Sequence, residues 1–432
     1  HATVKLDDEL GDIVFKSQVE NLGLEHIYAV KYPIIGNLGP ITDGGEDDYL
    51  VHPYATGVKV HNPYKNFSES RKGFPDMPYP ESFSGCSMQF IYYYGENRAG
   101  LYAAAYDGNF SVKWLNFSKN GNSLELSHMY GYDDIASGNG VCQDWRFVIN
   151  MLSGRDWYEA ADIYKKWAVK QIWCSRGPLA QRTDGEKPKW LLEKVGLATF
   201  GINARYDRER WIRAYHRLTG TGVFHVTGPD WPKSGQDYMS HICGGYDDWF
   251  PVNFNDKNIA AIRGQGDFFA PFEFDCITSV KGADHESIKR NLMKFPRDKH
   301  SIDRYDFNVL CPFTEYTKKL HIGRDMELVK ETGCDALYYD ISANNLLHIC
   351  MSGDHGHGRG GSGHITEAFR RNYMDTRDMV TKESKKYVPI GTEMMNEVFL
   401  DCVDFYQARG WAEPASAFET GEFRGLVKSG EM

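Results

Sequence analysis

Acidic residues close a series of apolar, strand-like runs in the second half of this sequence, a pattern suited to acid–base chemistry. Ala336-Leu337-Tyr338-Tyr339 runs into Asp340, and Val388-Pro389-Ile390-Gly391-Thr392 runs into Glu393. Earlier runs end on Asp230 and Trp231, and on Glu273 and Asp275. Singly each acid is a weak signal, because Asp and Glu also cap the helices that follow strands. Jointly they describe one rim. Cleaving a glycosidic bond takes one carboxyl to protonate the leaving oxygen and another to attack the anomeric carbon or activate water. Neighbouring strands lie ~4.8 Å apart, so acids that end adjacent strands reach the ~5 to 5.5 Å separation of a retaining pair. Asp340 and Glu393 meet that condition, with Asp340 the candidate nucleophile. Crowding and partial burial raise one pKa of such a pair and keep that group protonated near neutrality. Glu393 is expected to be that acid, and Glu397, one helical turn later, is its rival. Asp230, Trp231, Glu273, Asp275 and Tyr339 are expected to contact substrate, since flat aromatic faces with polar rims suit sugar rings.

Between the two acids lies a segment rich in Gly and His, from Asn344 to His364. A long loop after a strand that ends in a catalytic acid is expected to fold over the substrate. His355, His357 and Arg359 would then donate hydrogen bonds to sugar hydroxyls or a charged substituent. Thiolate and imidazole also bind zinc. Here His355 and His357 are separated by one glycine and Cys350 has no second cysteine near it in sequence, so neither metal nor cofactor is assigned. The Lys and Ser/Thr of a phosphate loop are missing.

The elements that must hold these residues fall into three parts. Residues 1–155 alternate with period two between Gly, Asn and Asp turns; Gly85 to Tyr94 and Gly100 to Tyr106 read as a hairpin, and the whole as a β-sandwich. Residues 156–190 hold a helix and a linker. Asp156 is its N-cap, Glu159 completes a capping box, and Trp157, Ala160, Ala161, Tyr164, Trp167, Ala168 and Ile172 share one face. Residues 191–432 alternate strand and helix, which predicts parallel strands and a (β/α)8 TIM barrel rather than a doubly wound sheet, since no glycine-rich dinucleotide turn follows the first strand. Six strands are readable, a seventh is faint near Ala415 to Phe418, and no eighth precedes Met432, so the barrel is expected to be incomplete at its C-terminus.

Composition narrows the ligand. The 432 residues carry a net charge of -10 with no basic run, which excludes a phosphate-neutralising nucleic-acid face. An oligo- or polysaccharide fits better, and the 14% aromatic content suits it. No apolar run approaches the ~20 residues of a membrane span. The start, His1-Ala2-Thr3, has neither Met nor a signal peptide; a processed start would fit a secreted, periplasmic or cell-surface protein. Nine scattered cysteines are not a disulfide framework. Oligomeric state cannot be read from the sequence.

Several of these segments together resemble a bacterial glycoside-hydrolase-like family of unknown function related to endo-α-N-acetylgalactosaminidases. They are Gly100-Leu101-Tyr102, Asp156 to Ala161, Tyr164-Lys165-Lys166-Trp167, Cys311-Pro312, Gly333 to Asp340, His355-Gly356-His357 and Thr392-Glu393. The resemblance spans roughly residues 85 to 410. It implies a sandwich packed on a catalytic barrel and retaining hydrolysis of α-linked sugars, with Asp340 as nucleophile and Glu393 as acid/base. The charged stretch from Lys281 to Arg304 and the run Gly358-Arg359-Gly360-Gly361 depart from the family pattern, and loops of this kind set substrate identity. Two other readings stand beside this one: a non-catalytic carbohydrate-binding protein on a degenerate barrel, and a zinc-dependent hydrolase or deacetylase using the His/Cys loop.

Overall fold

The computed structural model describes residues 1–7, 11–68, 70, 72–193, 196–200, 206–228, 231–233, 249–278, 285–296 and 308–407. The expected seventh strand near Ala415 lies outside them, as does Asp230. No helix among the described residues is long and apolar enough to cross a membrane.

The N-terminal part consists of two antiparallel sheets. An eight-stranded sheet runs, neighbour to neighbour, through Ala2–Asp7, Asp12–Glu20, Arg146–Leu152, Ala99–Tyr106, Phe90–Gly95, Asp48–His52 and Val58–His61, with Gly140–Cys142 paired beside Asp12–Glu20. The expected hairpin is present, with Tyr92 opposite Tyr102. A five-stranded sheet is built on Ile27–Leu38, Ser123–Ile135 and Lys113–Asn120. Period-two alternation turns one apolar face of each sheet toward the other. Tyr93 of the first meets Phe117 of the second at 5.4 Å between ring centroids, and Phe15 meets Tyr32 at 6.0 Å.

The helix Trp157–Ala168 covers the other face of the eight-stranded sheet, burying Trp157, Ala160 and Tyr164 against Val51, Phe90, Tyr92 and Tyr102. Asp156 caps it as expected, accepting from the Tyr158 N–H at 2.9 Å. The capping box does not close in the expected way. Glu159 instead accepts from Ser153 N–H and Oγ, at 3.1 and 2.7 Å, and from the Tyr92 hydroxyl at 3.1 Å, which ties the helix start to the sheet. The helix also stops at Ala168, so Ile172 lies beyond it and is exposed.

From Gly196 on, strands and helices alternate and the strands of the main ladders pair in parallel, with one short antiparallel pair, Ile277–Thr278 and Asn308–Val309, beside them. Gly196–Phe200, Val223–Thr227 and Phe268–Ala270 form one run of neighbours; Phe272–Phe274, Leu337–Asp340, Ile390–Glu393 and Phe405–Gln407 form the next. The expected single strand from Phe268 to Asp275 is broken at Pro271, which has no N–H to give a ladder. Its two halves serve different neighbours and join the two runs in chain order. The helices Glu315–Thr332 and His364–Ser384 follow the pattern seen in sequence, the first ending on Gly333 at φ 60°.

Strand alternation then decides which side chains face which way. Phe224, Val226, Ala270, Ala336 and Tyr338 form one apolar cluster, joined by Phe405. Leu337, Tyr339 and Ile390 belong to the opposite face, packed with Leu328, Phe369 and Tyr373 of the two long helices.

Candidate active site

Asp340 and Glu393 end adjacent parallel strands in matching positions. The ladder pairs Leu337 with Ile390, Tyr338 with Gly391 and Tyr339 with Thr392, and the two acids come next along each strand. Because Ala336 and Tyr338 lie in the cluster with Phe224, Val226 and Ala270, Asp340 is directed to that same face of the strands. Glu393 shares it through Gly391, where a Cβ would lie 2.1 Å from the Phe405 ring. Gln407 sits across from Glu393 on the next strand and accepts from the Tyr338 hydroxyl at 2.6 Å. Both acids are mostly buried, 8% exposed at Asp340 and 2% at Glu393.

Each acid is followed by a residue in the left-handed region: Ile341 at φ 44° and Met394 at φ 61°. For a β-branched residue such as Ile this is a costly conformation, of order 1–3 kcal/mol, held only where surrounding structure imposes it. The surroundings are dense. Ile341 N–H donates to Glu393 Oε2 at 3.4 Å, and Asn345 Nδ2 donates to the same oxygen at 2.9 Å. Asn344 Nδ2 donates to Thr392 Oγ1 at 2.8 Å and to the Met394 carbonyl at 3.0 Å, locking the turn after one acid to the turn after the other. A loop of the N-terminal half, between Pro78–Tyr79 and Phe90–Gly95, braces both turns: Ser82 N–H donates to the Asn344 carbonyl at 2.6 Å, and Asn396 Nδ2 donates to Ser82 Oγ at 3.0 Å.

Glu397 stands apart from this pair. Its Oε1 accepts from the Tyr164 hydroxyl at 2.7 Å, the Tyr79 hydroxyl at 2.9 Å and Gln89 Nε2 at 3.2 Å, all from the N-terminal half. Burial pushes its pKa up to about 7, against the opposing pull of those three donors.

Glu273, Asp275 and Tyr339 are drawn into a buried polar network under the long helices. Arg324 Nε lies 2.9 Å from Glu273 Oε2 and 2.8 Å from Asp325 Oδ1, and the Tyr339 hydroxyl donates to Asp325 Oδ2 at 2.6 Å. Burial, then the nearby Asp325 charge, pushes Glu273 well above the usual carboxylate range. Asp275 accepts from Ala343 N–H at 3.1 Å and from the Tyr373 hydroxyl, with His321 Nε2 at 3.0 Å. Burial would raise the Asp275 pKa, but the donors from His321, Tyr373 and Cys276 outweigh it and hold the carboxyl below its ordinary range. Trp231 is buried and donates its indole N–H to the Phe272 carbonyl at 2.7 Å.

The Gly- and His-rich loop is docked on the N-terminal half. Gly360 bridges to both Asp133 and Cys350, and a Cβ there would lie 2.0 Å from the Tyr132 carbonyl, which only glycine avoids. Arg359 is exposed. His355 and His357 turn toward cysteine sulfurs, His355 Nδ1 to Cys350 Sγ at 3.6 Å and His357 Nε2 to Cys311 Sγ at 3.5 Å. The second cysteine that the local sequence lacks is thus supplied from a distant segment. A cavity of about 480 Å³ is lined by Asn344, Thr392 and Met394 with Trp173, Pro178 and Phe405; neither Asp340 nor Glu393 lines it. The two carboxylates do not meet a substrate there.

Comparison with known proteins follows the same lines. No curated protein sequence matches the chain. Among solved structures, the alpha-N-acetylgalactosaminidase NagBb from Bifidobacterium bifidum in complex with GalNAc aligns with a TM-score of 0.64 at 14% identity, over 94% of this chain and 66% of that one. Its Gal-NHAc-DNJ complex aligns with a TM-score of 0.67 at 14% identity, again over 94% of this chain and 66% of that one. The fold is therefore shared with a glycosidase, and the chain spans 66% of that enzyme's length. A family model matches residues 142–422, and the chain belongs to that family, the domain of unknown function DUF6259.

Proposed function

We propose that the chain is a retaining glycoside hydrolase acting on an α-linked glycan, with Asp340 as nucleophile and Glu393 as acid/base. The observation that carries this reading is the matched ending of two adjacent parallel strands on Asp340 and Glu393, each followed by a strained left-handed residue. Strands ~4.8 Å apart suit the ~5 to 5.5 Å carboxyl spacing of retaining enzymes. Asp340 attacks the anomeric carbon while Glu393 gives its proton to the departing oxygen; Glu393 then takes a proton from water, which releases the sugar from Asp340. NagBb, an alpha-N-acetylgalactosaminidase by name, makes α-linked N-acetylated amino sugars the first substrates to try.

In this reading residues 1–155 are a β-sandwich, 156–190 a linking helix and linker, and 191–432 a TIM barrel. Glu273, Asp275, Tyr339 and Trp231 act as positioning residues, because their polar atoms serve internal partners. Glu397 is a structural acid at the junction of the two halves. A glycan-degrading role puts the protein outside the cytoplasm, where polymeric glycans are met.

A panel of aryl α- and β-glycosides, N-acetylgalactosaminides included, tests the proposal. Hydrolysis confined to α-glycosides supports it. Saturable glycan binding with no turnover of any glycoside would favour a non-catalytic binding protein instead.

A further inference from the structure

Cys311, Cys350, His355 and His357 converge from two separate segments. Cys311 follows the short strand Asn308–Val309, while the other three belong to the loop after the Asp340 strand. One ligand-type atom from each lies within 4.8 Å of the others. The cysteines are fully buried, and His355 is 9% exposed. We propose that these four side chains form a structural zinc site.

The distances fit before any ion is added. The two sulfur–nitrogen contacts are 3.5 and 3.6 Å. Zinc bound tetrahedrally, at about 2.3 Å to sulfur and 2.0–2.1 Å to nitrogen, requires a sulfur–nitrogen edge of ~3.6 Å.

Tautomers fit as well. His355 Nε2 lies 2.9 Å from the Arg290 carbonyl, and His357 Nδ1 lies 2.7 Å from the Gly358 carbonyl. A carbonyl only accepts, so each of those nitrogens carries the proton. His355 Nδ1 and His357 Nε2, the two nitrogens that face sulfur, are left with lone pairs to give a metal. Outer hydrogen bonds of this kind orient metal-ligating histidines. Two thiolates neutralise the dication, which suits a buried place, and soft sulfur with imidazole selects zinc over hard cations.

Four protein ligands fill a tetrahedron and leave no position for a reactive water. The site is therefore a staple rather than a hydrolytic centre. It would pin the loop that follows Asp340 to the Arg290 and Cys311 segments. This assignment does not depend on the glycosidase reading.

Metal analysis of the intact chain, purified without chelator, tests it. The expected result is about one zinc per chain, with chelation lowering the melting temperature and zinc restoring it. Replacement by cobalt(II) should give sulfur-to-cobalt charge-transfer absorption and the intense visible bands of a tetrahedral site. Cys350→Ser should abolish those signals, and His357→Ala, at a half-buried position that leaves the core intact, should weaken both. The proposal is overturned if the reduced wild-type chain, incubated with zinc and desalted, retains none. It is overturned equally if the metal is kept unchanged in both variants, or if intact mass and peptide mapping find Cys311 and Cys350 joined as a disulfide in metal-free protein as purified.

Discussion

Ile341 N–H donates to Glu393 Oε2 at 3.4 Å, so the residue next to one acid holds the carboxylate of the other. With Asn345 Nδ2 on the same oxygen at 2.9 Å, the orientation of Glu393 depends on the turn that follows Asp340. The two groups form one unit rather than two independent side chains. Four predictions follow from that geometry and its surroundings.

On the proposed assignment Asp340→Asn removes the attacking oxygen and should cut turnover by about 10³-fold or more on every glycoside substrate. Glu393→Gln removes proton transfer and should cost about 10²- to 10⁴-fold on poor leaving groups, and much less on activated aryl glycosides that leave without protonation. Steady-state kinetics across a leaving-group series distinguishes the two roles. Circular dichroism should find both variants folded.

Glu397 supplies a pH signature of a different kind. Its pKa is raised by burial from 4.5 to about 7, so the folded state holds the proton more tightly than the unfolded chain. The stability this contributes is fully present below about pH 4.5 and is lost as pH rises through about 7, a change on the order of 3 kcal/mol. Glu397→Gln still accepts from Tyr79 and Tyr164 but does not ionise. Melting temperatures measured across that window should fall less steeply with rising pH in the variant. Equal slopes would show that the Glu397 proton is not coupled to folding.

Asn344→Ala breaks the tie between the two turns, leaving Thr392 Oγ1 and the Met394 carbonyl without that donor. The expected cost is about 1–3 kcal/mol of stability. A lowered kcat with KM nearly unchanged would mark a positioning role, whereas a change in KM alone would place Asn344 in substrate binding.

Asp275→Asn probes the network beneath the Asp340 turn. Asn keeps the size but loses the negative charge, and its single oxygen can accept either from His321, as Oδ1 does, or from Ala343 and Tyr373, as Oδ2 does, but not from both sides. Losing hydrogen bonds to a buried carboxylate costs about 1.5–3 kcal/mol each, which denaturant unfolding would read. Loss of activity without loss of stability would instead favour direct contact with substrate.

Much of the frame was legible because its signals are local. The helix from Trp157 announces itself by Asp156, the helix before the Asp340 strand by Gly333, and the hairpin at Tyr92 and Tyr102 by alternation. The two acids were legible because each ends an apolar run. What escaped depends on contacts far apart in the chain. Nothing near Glu273 or Asp275 announces Arg324 or His321, so both read as rim acids although their partners lie on a helix some fifty residues on. Nothing beside Glu397 announces Tyr79 or Tyr164. Cys350 looked solitary because Cys311 meets its loop only through the fold. The positive φ of Ile341 and Met394 is likewise invisible in residue types, since tertiary packing imposes a conformation their own preferences oppose.

The central claim is retaining cleavage through Asp340, and the anomeric configuration of the first sugar released from an aryl α-glycoside, read by proton NMR in wild type and in Asp340→Asn, tests it most directly. The account predicts that wild type releases the α-anomer first, before mutarotation, and that Asp340→Asn releases almost none. Release of the β-anomer first, or undiminished α-anomer from Asp340→Asn, would contradict it.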